Sequence, residues 1–176
     1  MFRIFALLTG KPVVYVCNVD EDSAAEGNAF SNLVFEKAAQ EGAVAVVVSA
    51  AIEAEVSQLE SEEEKNEFLD SLGLKETGLN RVIRAGYNLL KQITFFTVGP
   101  KEARAWTVKD GSSAPNAAGV IHGDFELGFI CAGTVPYEDY VACNGEAGAK
   151  DAGKLRQEGK EYKVKDGDVF HFRFNV

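Results

Sequence analysis

Asn18, Glu21 and Ser49 are the residues whose types and spacing could do chemistry here. A side-chain amide carries both donors and acceptors and can bond a purine edge with two hydrogen bonds. A carboxylate three residues on can only accept, from a ring N–H or an amino group. The same N-x-x-[DE] pattern also serves as a plain turn cap, and the residues alone leave both readings open. Elsewhere the chemistry is sparse. His122 and His171 are the only histidines, and neither has a partner at catalytic or metal-binding spacing. Asp124 and Glu126 are alternate residues of a predicted helix, which do not face each other. Thr9-Gly10-Lys11-Pro12 falls short of the phosphate-cradling G-x-x-x-x-G-K-[ST] loop: no glycine stands five positions before Gly10, and Pro12 replaces the hydroxyl residue. No catalytic dyad and no metal site is predicted.

These residues need elements to position them. Val13–Cys17 is a continuous apolar run of the kind buried in a parallel sheet. Ala29–Gln40 follows as a helix with Phe30, Leu33, Val34 and Ala38 on one stripe, and Gly42 sits where a C-terminal cap belongs. Ala43–Val48 is a second apolar strand, ending at Ser49-Ala50. This is a βαβ unit with parallel strands. It puts Asn18, Glu21 and Ser49 at the carboxyl ends of strands, where α/β sheets bind ligands. Two strands are few for a parallel sheet, so the front of this domain is expected to be missing. Helices are predicted at Ile52–Leu59, after the acidic start Ser61–Glu64, and at Leu79–Leu90 with Leu79, Val82, Ile83 and Leu89 as its stripe. The domain boundary falls near Lys91-Gln92, giving domains 1–92 and 93–176.

The second half has a different rhythm. Ile93–Val98 and Glu102–Val108 form a predicted hairpin, with the alternation of a strand wet on one face in its second arm. Ala114–Phe129 reads as one helix, with Ala118, Ile121, Phe125 and Phe129 toward the hairpin and Pro115 in its first turn. Thr134–Tyr137 reads as an edge strand because of Pro136. Asn144–Lys150 reads as a small-residue loop and Ala152–Glu158 as one or two helical turns. Val169–Phe174 closes the chain as an alternating strand. Hairpin, helix, further strands and a closing strand make an α+β β-grasp, the ubiquitin-like module.

Composition narrows the partners. The chain has 176 residues and is 46% hydrophobic, enough to bury a core. No apolar run approaches the roughly 20 residues of a membrane span, and Met1–Leu8 lacks the length and cleavage site of a secretory signal. Three cysteines fit no metal spacing and read as reduced thiols of a cytoplasmic protein. Net charge is −9, with −7 carried by residues 1–92 and −2 by the rest. A generic positive surface for nucleic acid is excluded. Lys150, Lys154, Arg156 and Lys160 come close together in sequence and could still present a local basic face, or simply a solvated loop. The bare edge of the βαβ unit could pair with a second copy.

Six stretches carry a resemblance: KPVVYVCNVDED, VVVSAAIEAEVSQL, LNRVIRAGYNLL, ITFFTVGPKEARAWTVKDGSSAPNAAGVIHGDFELGFI, GEAGAKDAGK and DGDVFHFRFNV. Together they resemble the YchF / Obg-like ATPase family of P-loop NTPases over nearly the whole chain. The resemblance implies an α/β remnant of a nucleotide-binding domain followed by a TGS-like β-grasp. Asn18-Val19-Asp20-Glu21 matches the family's base-recognition motif, standing where classical GTPases have N-K-x-D. Asn18 would then contact the purine edge, Val19 would lie beside the base, and Glu21 would take the aspartate's place. Ser49-Ala50 matches the last GTPase motif, whose loop packs by the base. The family binds and hydrolyses ATP, or GTP, with magnesium and associates with ribosomes or RNA. Its phosphate loop and magnesium-binding switches would all precede Met1. The expectation is a C-terminal portion that binds no nucleotide tightly and is catalytically silent alone, with docking of RNA, ribosome or protein by the β-grasp half as the alternative.

Overall fold

The structure, a computed structural model, describes residues 7–175; most of the Met1–Leu8 segment lies outside the described residues. The chain divides into two compact units at Leu90/Lys91.

The first unit is built on two parallel strands, β1 (Val14–Asn18) and β2 (Val44–Val48), paired from Val14↔Val44 to Asn18↔Val48. The helix between them, α1 (Ala29–Glu41), starts at a capping box. Asn28 Oδ1 accepts from the backbone N–H of Phe30 and Ser31, and Ser31 Oγ accepts from the Asn28 N–H. These bonds satisfy donors that a helix start leaves orphaned. Gly42 ends α1 at φ 67°, a left-handed position that suits glycine. Three more helices follow: α2 (Ala50–Val56), α3 (Glu62–Ser71) and α4 (Gly78–Leu90). Ser61 and Glu64 form the capping box of α3. Ala24, Ile52, Val56, Leu69 and Leu74 make the core beside the sheet.

α1 and α4 lie on opposite faces of the sheet. Val47 lies toward Gly27, just ahead of α1, and the adjacent Val48 lies toward Gly78 at the start of α4. Successive strand residues point to opposite faces. At Gly78 even a Cβ would come within 3.0 Å of Val48, so α4 approaches closely there.

Both predicted helix stripes need correction. On α1, Ala38 is buried and Val34 half-buried, but Phe30 and Leu33 are 79% and 62% exposed. On α4, Gly78 and Ala85 are buried while Leu79 and Ile83 are exposed. The reason is width. Two strands about 5 Å apart make a narrower bed than a helix about 10 Å across, so apolar residues overhang it.

The second unit is a five-stranded mixed sheet. β3 (Gln92–Val98) and β4 (Ala103–Lys109) form the expected antiparallel hairpin. Then come α5 (Ala114–Ile121), α6 (Gly123–Leu127), β5 (Phe129–Pro136), α7 (Tyr137–Ala142), α8 (Glu146–Asp151), β6 (Arg156–Glu158) and β7 (Asp168–Phe174). The strand order is β4-β3-β7-β5-β6. β7 runs parallel to β3 and antiparallel to β5. Phe95, Val108, Phe129, Val164 and Phe170 pack with Ala114, Ala117 and Ala118 of α5 into one core. Phe95 is fully buried, with its ring edge-on to Phe170 at 5.6 Å and to Phe172 at 6.2 Å.

Three expectations fail in this unit. The single helix over 114–129 is two helices, broken at His122 in an extended conformation (φ −159°). His122 Nδ1 accepts from the Asp124 N–H and so caps α6, while Phe129 leaves the helix to begin β5. The Thr134–Tyr137 strand is interior, not an edge. Pro136 is the last residue of β5, where the missing donor costs nothing, and the next N–H, of Tyr137, donates to Gly167 O at 2.8 Å. The helical turn expected at Ala152–Glu158 lies earlier, as α8, and Arg156–Glu158 is the edge strand β6. The small residues of the supposed loop let α8 pack closely: a Cβ on Gly148 would collide with Cys143 O.

Asp168 is a buried carboxylate at 2% exposure, held by the Tyr162 hydroxyl and the Lys165 N–H, both at 2.9 Å. Burial, and then the bond to Asp168, push the Tyr162 hydroxyl up to about 12. A raised tyrosine stabilises the fold fully below its unfolded pKa near 10 and less as pH climbs through the folded value. Tyr162→Phe should therefore cost about 1–3 kcal/mol at pH 7 and flatten the loss of stability between about pH 10 and 12, measured by urea unfolding at both ends of that range. Phe95→Ala should cost about 3–5 kcal/mol. Fluorescence of Trp106, the one tryptophan and a neighbour of this core, reports it directly.

Candidate functional site

The carboxyl ends of β1 and β2 are tied together by a side chain. Asn18 Oδ1 accepts from the Ala50 N–H at 3.0 Å, across 32 residues of sequence. Beside it, the Val19 N–H donates to Val48 O at 2.9 Å. Asn18, Val19, Ser49 and Ala50 thus meet at one place, where the parallel ladder ends and α2 begins. The strands run that way because each is a continuous β-branched and apolar run, and the helix between them brings the chain back to the same end of the sheet.

Within this cluster the polar groups are not all satisfied. Asn18 is exposed, and its amide NH2 has no partner among the described residues. Ser49 is 2% exposed, and its buried Oγ has no hydrogen bond among the described residues. A cavity of about 330 Å³ runs along the outer side of β1 from Tyr15 to Val19, walled by Asn28, Phe30, Ser31 and Val34 of the α1 side, with Asn18 at its end. An amide donor at the mouth of such a cavity, with a carboxylate nearby in sequence, can read the polar edge of a flat heterocycle.

Glu21 opens the short 3-10 turn Glu21–Ser23 and is exposed. The cap of that turn is Asp20, whose Oδ1 accepts from the Ser23 N–H at 2.9 Å. The capping role therefore belongs to Asp20, a residue the sequence reading passed over, although an aspartate before a short polar turn is its usual signal. Among the described residues the Glu21 carboxylate makes no hydrogen bond or ion pair, so no such bond ties it to Asn18 or to the Ser49-Ala50 turn.

The basic residues are scattered over α8, a loop, an edge strand and a turn. Lys150 lies in the last turn of α8 and is exposed. Lys154 Nζ sits 3.3 Å from Asp139 Oδ1, and Arg156 Nε sits 3.0 Å from Glu158 Oε1. Lys160 follows β6, exposed. Two of the four charges are thus answered by carboxylates of the same unit. His171 Nδ1 lies 3.3 Å from Glu146 Oε2. Among the described residues no group of three or more His, Cys, Asp or Glu could hold a metal ion, and no helix is long and apolar enough to cross a membrane.

Comparison with known proteins places the chain. Residues 92–175 match the YchF-GTPase_C family, described as a protein of unknown function (DUF933). The Haemophilus influenzae "Ribosome-binding ATPase YchF" is 59% identical over 174 residues, which is 99% of this chain and 47% of that protein. The Bacillus subtilis protein of the same name is 56% identical over 172 residues, covering 97% of this chain and 47% of the relative. The chain thus spans about half the length of the curated relatives it matches. Among solved structures, the Schizosaccharomyces pombe YchF GTPase superposes over 95% of this chain and 44% of its own, with a TM-score of 0.77 and 36% identity. A GTP-binding protein from Pyrococcus horikoshii shares the fold at a TM-score of 0.62 and 22% identity, covering 94% of this chain and 46% of its own. With that likeness running from its opening strand to its closing one, the chain belongs to the YchF family.

Proposed function

We propose that this chain is the C-terminal part of a YchF-type nucleotide-binding protein whose whole form binds and hydrolyses ATP, or GTP, with magnesium in the cytoplasm and works on the ribosome. In this reading the first unit is the base-reading end of the nucleotide-binding domain. The observation that carries it is the Asn18 Oδ1 bond to the Ala50 N–H. That bond commits the amide oxygen to the protein and turns the NH2 into a fixed donor for a purine ring nitrogen. Glu21 supplies an acceptor for an exocyclic amino group or a ring N–H. Val19 lies against the base, and the Ser49-Ala50 turn closes its far side. The purine specificity then rests on the Asn18 amide at the end of β1 and the Glu21 carboxylate three residues on.

The second unit fits a TGS-like β-grasp. Its strand order, with the last strand parallel to the first and placed between the two hairpin-like edges, supports that reading. Its task would be docking on ribosomal RNA or protein. Lys150 and Lys160 are the cations of the basic segment without a carboxylate partner among the described residues, so they are the ones open to a phosphate. A second reading, self-association through the outer edge of β1, draws on the exposed Val16 and Phe30 beside it; light scattering that finds only monomer at high concentration removes it.

Two outcomes test the proposal. Phosphoryl transfer depends on positioned phosphates and metal, and the sequence holds no G-x-x-x-x-G-K-[ST] loop. The 176-residue chain should therefore show no ATP or GTP turnover, and calorimetry should find affinity no tighter than about 1 mM, near −4 kcal/mol. Micromolar binding would mean that a complete phosphate site exists in this chain. For docking, the double charge reversal Lys150→Glu and Lys160→Glu should weaken co-sedimentation with ribosomes several-fold and flatten its salt dependence. Reversing Lys154 and Arg156 should do less, because their charges are already engaged; equal effects would count against this assignment.

A further inference from the structure

The outer edge of β2 is a strand edge with no described partner, and the nucleotide reading leaves it unused. The Val44 N–H bonds Val13 O, and Val48 O accepts from the Val19 N–H. In a parallel ladder the residues of one strand bond its neighbour alternately, so Val44, Val46 and Val48 face β1. Ala45 and Val47 then aim their N–H and C=O groups the other way. No other described strand pairs with β2. A cavity of about 390 Å³ runs along this edge from Val44 to Val47, which is roughly 10 Å of strand.

The walls of the cavity hold buried polar atoms without partners. Among the described residues three buried side-chain atoms lack a hydrogen-bond partner, and two of them, Glu76 Oε2 and Arg81 Nε, belong to residues lining this cavity. The Arg81 guanidinium reaches Ala24 O only at 3.4 and 3.5 Å. Glu76 spends its other oxygen on Arg84, at 2.9 Å. A buried donor or acceptor left unmade costs more than a made bond returns. The edge therefore asks for a ligand with alternating N–H and C=O groups along its length, a donor toward Glu76 and an acceptor toward Arg81.

We propose that the β2 edge, between Arg81 of α4 and Phe35 of α1, takes an extended peptide segment carrying a single carboxylate, added to the sheet as a third strand. The backbone supplies the ladder to Ala45 and Val47 and a donor for Glu76, as in other strand additions. The carboxylate meets Arg81, the charge pair that favours arginine's planar fork. One carboxylate fits better than several, because Glu26 and Glu76 also line the cavity and the chain carries a net charge of −9.

The test uses the full chain, isotope-labelled, titrated with six capped hexapeptides of alternating valine and threonine, each with one aspartate at a different position. At least one peptide should bind saturably below about 1 mM while the amide signals of Ala45 and Val47 shift. N-methylation of alternate amides in that peptide should weaken it at least about tenfold, and replacing its aspartate by asparagine about tenfold. Arg81→Gln should erase the difference between the aspartate and asparagine peptides. Binding by none of the six overturns the proposal, as does indifference to N-methylation or discrimination that survives in Arg81→Gln. Should that variant fail to fold, the two changes on the peptide side decide the matter with the unaltered chain. If the Ala45 and Val47 signals instead shift on dilution, with dimers in sedimentation, the occupant is a second copy and the peptide proposal fails.

Discussion

β7 is the last strand of the chain and the middle strand of its sheet. The second unit depends on that insertion. Without it, the β3–β4 hairpin and the β5–β6 pair share no ladder. The strand is guided in by its own entry turn. Asp166 Oδ1 accepts from the Thr94 N–H, and the Gly167 N–H donates to Thr94 O, both at 2.8 Å and 72 or more residues away in sequence. Its side chains then close the core, with Phe170 and Phe172 edge-on to the fully buried Phe95. Long-range closure of this kind carries an entropic cost before any contact rewards it. The aromatic density around β7 offsets that cost.

The first unit solves a smaller problem with the same means. Two parallel strands offer little mutual burial, and their ends would fray. Asn18 joins those ends with one hydrogen bond to Ala50, and the capping boxes of α1 and α3 satisfy helix termini locally. The price is a surface with apolar side chains left over on both helices and with backbone groups left over on the β2 edge. Overhanging Phe30 and Leu33, and the buried Arg81 Nε and Glu76 Oε2 left without hydrogen bonds among the described residues, are consequences of a sheet that is narrower than the helices covering it.

Membership of the YchF family and these local facts support each other without being the same claim. The likeness covers almost all of this chain but about half of the relatives' length. What the geometry contributes is a structural role for the Asn18 amide: its oxygen ties the end of β1 to the start of α2, and its nitrogen has no partner among the described residues. The Ser49 hydroxyl, buried beside it without a partner among the described residues, marks the same spot.

Much was legible in the residues alone. The βαβ order, the Gly42 cap, the Ser61 helix start and the β3–β4 hairpin follow from local rules: periodicity, capping chemistry and glycine at a left-handed position. So did the placing of Asn18 and Ser49 at strand ends. Tertiary structure decided what no local rule contains. Pro136 read as an edge marker, but its meaning depends on which residue of the strand it is, and it stands at the end of an interior one. His122 stood within an unbroken helical period, and only the turn into β5 shows why the helix breaks there. Phe30, Leu33, Leu79 and Ile83 had the spacing of buried stripes, yet burial is set by how much sheet lies beneath a helix. Lys154 and Arg156 looked like free cations until Asp139 and Glu158 came alongside. Sequence patterns describe what a segment can offer. Whether the offer is taken depends on a neighbour that only the folded chain supplies.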